Sequence, residues 1–145
     1  MKRLAAVALT LFLFATPVLA GHDWEHTQTI DAAAIADLDE LAGIWSDSVT
    51  AGDPILRADR MHDLQTAVQD YIDELDAMSP VPACYAEWWS LRRVSMVLFA
   101  EALRLTVIGG MPSDGESYRV TASQRANDVS GWLHQQAEKL EVSCE

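Results

Sequence analysis

From residue 83 to residue 108 the chain reads ACYAEWWSLRRVSMVLFAEALRLTVI, and this stretch decides the fold. Cys84, Trp88, Leu91, Ser95, Leu98, Ala102 and Leu105 recur along it at three- and four-residue steps, the period of a helix seam and not of a strand. Tyr85, Trp89, Met96, Phe99 and Leu103 widen the apolar arc, while Ser90, Arg93, Val97, Glu101 and Arg104 mark an outer edge. A helix apolar over so wide an arc has to be covered by other elements. The stretch is therefore expected to be the most buried helix of an all-α domain.

Working outward, Ser79-Pro80-Val81-Pro82 separates this helix from the one before it, because each proline pushes its predecessor out of the helical region. Asp53 and Pro54 read as the N-cap and first position of that preceding helix. Met61, Leu64, Val68, Tyr71, Ile72, Leu75 and Met78 form its apolar stripe, with Asp59, Asp63, Asp70, Asp73 and Glu74 on the opposite side. A first helix is expected over 28–50, with Ile30, Ala34, Leu38, Leu41, Trp45 and Val49 facing inward and Ala51-Gly52 ending it. Beyond a Gly109-Gly110 cap and a turn over 111–115, a fourth helix is expected to run to about residue 141. Its inward residues are read as Tyr118, Ala122, Ala126, Val129, Leu133, Ala137 and Leu140. Four amphipathic helices joined by short turns bury their stripes most simply as an up-down-up-down four-helix bundle, the rivals being an orthogonal four-helix array and a bundle whose acidic first helix packs loosely.

The two cysteines tie this layout together. Cys84 opens the third helix and Cys144 follows the fourth, so an antiparallel pair brings them to one end, where a disulfide is expected. Closing a loop of about 60 residues stabilises a fold by roughly 4 kcal/mol in the chain-entropy model. The compartment agrees: Lys2 and Arg3, an apolar run over 4–15 and the segment Thr16-Pro17-Val18-Leu19-Ala20 read as a signal peptide cleaved after Ala20. The run is shorter than the roughly 20 residues that span a bilayer, so the product is read as a secreted or periplasmic protein without stable membrane insertion. The organisation is then a signal peptide over 1–20, a flexible tail over 21–26 and one domain over 27–145.

The 145 residues carry 22 acids against ten Lys and Arg. That balance excludes a nucleic-acid binder, which needs clustered bases. The acids are concentrated: 14 lie between residues 21 and 80 with two bases, and eight lie beyond with six bases. The first two helices thus present an acidic face, suited to solvation, to a basic partner or to loosely held cations.

Several residues are candidates for chemistry. After cleavage the chain would begin Gly21-His22-Asp23-Trp24-Glu25-His26, where a free amine and two imidazoles suit Cu or Zn. His62, with Asp59 three residues before it, and His134 are the remaining imidazoles. A di-metal bundle needs inward carboxylates from all four helices, and the inward stripes of the first, third and fourth contain none. In size, export and topology the chain resembles the exported four-helix haem cytochromes. The covalent class is excluded by the lack of Cys-x-x-Cys-His, and the first mature helix has no Met, leaving His26 to substitute opposite His134. His134 shares its face with Ser123, Asn127, Ser130 and Glu138, away from the apolar stripe, and is expected to look at water; haem is not expected.

Trp88, Trp89 and Arg92, together with Trp45 and Trp132, are the candidate walls of a small ligand pocket, in which the Arg92 fork could receive a carboxylate or stack on an indole. No nucleophile elbow, zincin motif, phosphate loop or calcium loop is present, so no enzyme and no cofactor is expected. What remains is an exported helical module that binds a partner protein or small molecule, the alternative being a periplasmic metal or haem protein that uses its N-terminal histidines.

Overall fold

The computed structural model describes residues 24–108 and 116–144, without the side chains of 108 and 116–118. The expected signal peptide, Gly21, His22, Asp23, the expected Gly109-Gly110 cap, the expected turn over 111–115 and the expected inward placement of Tyr118 lie outside the described residues. The described chain is all-helical: α1 (Trp24–Ala51), α2 (Pro54–Ala77), a 3₁₀ turn (Ala83–Tyr85), α3 (Ala86–Ile108) and α4 (Glu116–Lys139).

The α1/α2 junction is local chemistry. Gly52 takes the left-handed conformation with φ of 73°, and Asp53 Oδ1 then accepts from the amides of Ile55 at 2.9 Å and Leu56 at 3.1 Å, capping α2 ahead of Pro54. α1 begins at Trp24, earlier than expected, and draws Trp24, Glu25 and His26 out of the expected tail. The cause is tertiary: the Trp24 indole packs on Tyr85 at 5.4 Å and edge-on against Trp88 at 5.1 Å.

The core centres on α2. All seven residues of its expected stripe, from Met61 to Met78, are buried, while Asp59, Asp63, Asp70, Asp73 and Glu74 are exposed. Leu38, Tyr85, Trp88, Met96, Leu103 and Ala137 pack around them. α3 is covered less completely than its sequence suggests. Leu91, Leu98 and Leu105 are only half-buried and Val94 is exposed, as is Val97 on the expected outer edge. On α1 the last inward position falls on Ser48 and not on Val49, because the apolar stripe drifts around a helix of 3.6 residues per turn.

α4 differs most from its sequence reading. Val129 is 46 % exposed, whereas its neighbour Ser130 is 5 % exposed. Ser95 Oγ donates to the Ser130 carbonyl at 2.9 Å, and Ser130 Oγ donates to the Ser95 carbonyl at 2.8 Å. Two small side chains that satisfy each other's carbonyls let the backbones approach closely, and this outweighs the gain from turning Val129 inward. Along the same seam Ser123 Oγ donates to the Ala102 carbonyl at 2.9 Å, and Cys84 is bonded to Cys144 with their Cα atoms 5.4 Å apart. α3 and α4 thus run in opposite directions, stapled at one end.

Neighbours in sequence are neighbours in space: α1 lies on α2, α2 on α3 and α3 on α4. α1 and α4 barely approach one another. The seam between them is where the domain is open.

Candidate functional site

At one end of the open seam, four helices contribute one polar cluster. Asp31 of α1 is its centre. It accepts from Tyr71 Oη of α2 at Oδ1 and from Arg92 Nη2 of α3 at Oδ2, the latter at 2.9 Å, and Arg92 Nε stands 2.7 Å from Oδ1. Arg92 Nη1 is hydrogen-bonded to His134 Nδ1 of α4, and His134 Nε2 lies 3.0 Å from Glu138 Oε1. A guanidinium only donates, so Nδ1 is the acceptor and the imidazole proton sits on Nε2, directed at Glu138. Burial, and then the adjacent Asp31 carboxylate, push the Tyr71 phenol well above its ordinary range, which keeps it a neutral donor.

The side chain of Arg92 is only 3 % exposed, and its guanidinium also lies 5.7 Å from the Trp88 ring centroid. The carboxylate and the indole that the sequence anticipates for this fork are therefore internal partners. A buried charge needs such partners, and Asp31 supplies the opposite charge. His134, expected to look at water, is instead turned to α3, for the same reason that Ser130 is: the small polar face of α4 is the face that packs.

Around this cluster the seam is hollow. A cavity of about 630 Å³ is lined by Trp24, Asp31, Ile35 and Asp39 on α1, Trp88 and Arg92 on α3, and Ala137 and Glu138 at the end of α4. It shares Ile35 and Asp39 with a cavity of about 220 Å³ floored by Ser95, Met96 and Phe99. That one shares Ala42, Phe99 and Asn127 with a third, of about 470 Å³, which reaches Trp45, Ala102 and Thr106. The three follow α1 from Asp31 to Ser46, a rise of about 22 Å. They are acidic and aromatic at one end and apolar along the rest, a form that suits ligand binding.

The sequence-derived pocket residues divide accordingly. Trp88 and Arg92 meet in the first cavity, and Trp45 stands at the far end of the third, its buried Nε1 without a hydrogen-bond partner among the described residues. Trp89 lies on the other side of α3, where Nε1 donates to the Leu75 carbonyl at 2.7 Å. Trp132 is 58 % exposed and takes no part. Among the imidazoles, His26 is in the first turn of α1, His134 is in the cluster, and His62 is exposed on α2, where it lines a cavity near Pro54 that shares Trp45 and Thr106 with the third cavity but has no wall on α4. Among the described residues no three His, Cys, Asp or Glu side chains gather in a way that could hold a metal ion.

Asp31 is the residue that sequence reasoning missed. It lies beside Ile30 and Ala34 on the inward arc of α1, a position read as acid-free, and its signal was the lone arginine in the apolar arc of α3, which demands a counter-ion. Outside the site, Asp76 on α2 and Glu101 on α3 are held below the usual carboxylate range by hydrogen bonds from Arg93 and Arg104. No helix among the described residues is long and apolar enough to cross a membrane. No family model, curated protein or solved structure matches the chain.

Proposed function

We propose that the chain is an exported, non-enzymatic binding module whose up-down-up-down bundle holds an elongated apolar ligand in the seam between α1 and α4. The observation that carries this reading is the run of three wall-sharing cavities along a seam that the two helices leave open, floored by apolar side chains of α3. A bundle built only for stability would close that seam, since every apolar Å² covered is worth roughly 25 cal/mol. The signal peptide and the acidic outer faces of α1 and α2 fit a carrier that stays dispersed outside the cytoplasm.

The polar cluster at the end of the seam belongs to the same design. It ties all four helices together without occupying the apolar channel, so the channel can fill and empty while the frame stays fixed. The test uses a neutral apolar naphthylamine dye, read by its fluorescence gain, with the unmodified protein and with Ala42→Trp. Ala42 lines both the middle and far cavities, and an indole there fills the channel. One dye per chain, displaced by octanol and lost in the variant at unchanged helicity, is the expected result. Equal dye binding by both proteins overturns the reading.

A further inference from the structure

The geometry points to a cationic head group on the ligand of this seam, an alkylammonium or similar organic cation seated in the Trp24/Trp88 end. The inference rests on the proposed binding reading and adds the charge class of the ligand. Three carboxylates line that cavity, Asp31, Asp39 and Glu138, against one base, Arg92. The base is already engaged: Nη2 donates to Asp31, Nη1 is on His134, the guanidinium lies by the Trp88 ring, and Nε stands 2.7 Å from Asp31 as part of the ion pair, without a hydrogen bond among the described residues. An anionic head would therefore have to displace Asp31 from a buried ion pair, and would then leave that carboxylate and the Tyr71 hydroxyl without their partner.

A cation meets the opposite situation. Asp39 is exposed at the mouth where the first two cavities join, and Glu138 offers a half-exposed carboxylate whose other contact is the His134 imidazole. The half-buried Trp24 indole adds an aromatic wall, which attracts quaternary and protonated amines. Behind the mouth, Ile35, Leu38, Ala42 and Phe99 receive the apolar tail. The field of the whole molecule has the same sign, since 14 of the 22 acids lie between residues 21 and 80, against two bases.

The experiment titrates octyltrimethylammonium, octanol and octyl sulfate against the dye-loaded full chain, below micelle-forming concentrations, at low and moderate salt. Ala42→Trp and Asp39→Asn are run alongside. With one aromatic wall and partly exposed carboxylates, the cation is expected to bind about tenfold tighter than octanol, and the sulfate more weakly than either. That preference should shrink about threefold in Asp39→Asn and with added salt, while octanol binding stays unchanged. Equal affinity of the three ligands at a site that Ala42→Trp blocks overturns the charge assignment and leaves the binding reading standing. Preference for the sulfate overturns it through Arg92. A cation preference that survives Ala42→Trp also overturns it, because the cation is then merely collecting on the acidic surface. If no ligand binds at the blocked site, the binding reading falls and this inference with it.

Discussion

Replacing Asp31 by alanine strands a guanidinium. The Arg92 side chain keeps 3 % of its surface in contact with solvent and Asp31 keeps 14 %, so loss of the carboxylate removes the charge partner from a cation with little access to water in place. Breaking a buried pair from one side costs about 3–5 kcal/mol. Because the adjoining cavity admits some water, the lower end applies, about 3 kcal/mol, a large part of the 5–15 kcal/mol that holds a typical domain together. The melting temperature should fall on the order of 10 °C. Urea unfolding followed by circular dichroism, on Asp31→Ala, Arg92→Met and the double variant, separates the pair from its parts. The double variant should be more stable than Asp31→Ala alone, with a coupling of about 2 kcal/mol, because methionine leaves no charge to strand. If Asp31→Ala unfolds within about 1 kcal/mol of the unmodified protein, Arg92 does not depend on Asp31, and the cluster does not hold the four helices together.

The Tyr71 phenol is raised in the folded state above its ordinary value near 10, so its contribution is complete below about pH 10 and declines as the pH rises further, by up to about 1.4 kcal/mol per unit. Urea midpoints between about pH 9 and 11 should fall more steeply for the unmodified protein than for Tyr71→Phe, and parallel curves would count against a buried phenol. Cys84→Ser with Cys144→Ser should lose roughly 4 kcal/mol, read from unfolding midpoints; a loss under about 1 kcal/mol would mean that the unfolded chain is not loosened by opening the loop. Trp45→Phe deletes a buried N–H that has no partner among the described residues, so it should leave stability unchanged or raise it by up to about 1 kcal/mol. A calorimetric loss of more than that would show that the indole nitrogen is bonded after all.

What the sequence displays depends on how local the cause is. The cap at Asp53 with Pro54, the stripe from Met61 to Met78 and the break at Ser79-Pro80 are legible because each follows from a few adjacent residues and an apolar period. The pairing of Cys84 with Cys144 is legible from helix direction and compartment. The start of α1 is not, because Trp24 is drawn into the helix by Tyr85 and Trp88, more than sixty residues away. Nor is the rotation of α4. An apolar stripe through Val129 suggests one inward face, but reciprocal hydrogen bonds between Ser95 and Ser130 reward another, and that reward exists only once both helices are side by side. The turn of His134 toward Arg92 follows from that rotation. Of the five candidate pocket residues, only Trp88 and Arg92 share a wall, because aromatic content identifies helices that bury something and cannot say against which neighbour.

The most direct measurement is amide-resolved NMR of the folded protein titrated with octanol. Shifts should grow at Ile35, Ala42, Phe99 and Asn127, which line the joined cavities from α1, α3 and α4, and should leave Val94 and Trp132 on the outer surface unmoved. Shifts confined to Val94, Val97, Val129 and Trp132, or to the exposed side of α2, would place the ligand elsewhere and leave the open seam without a role.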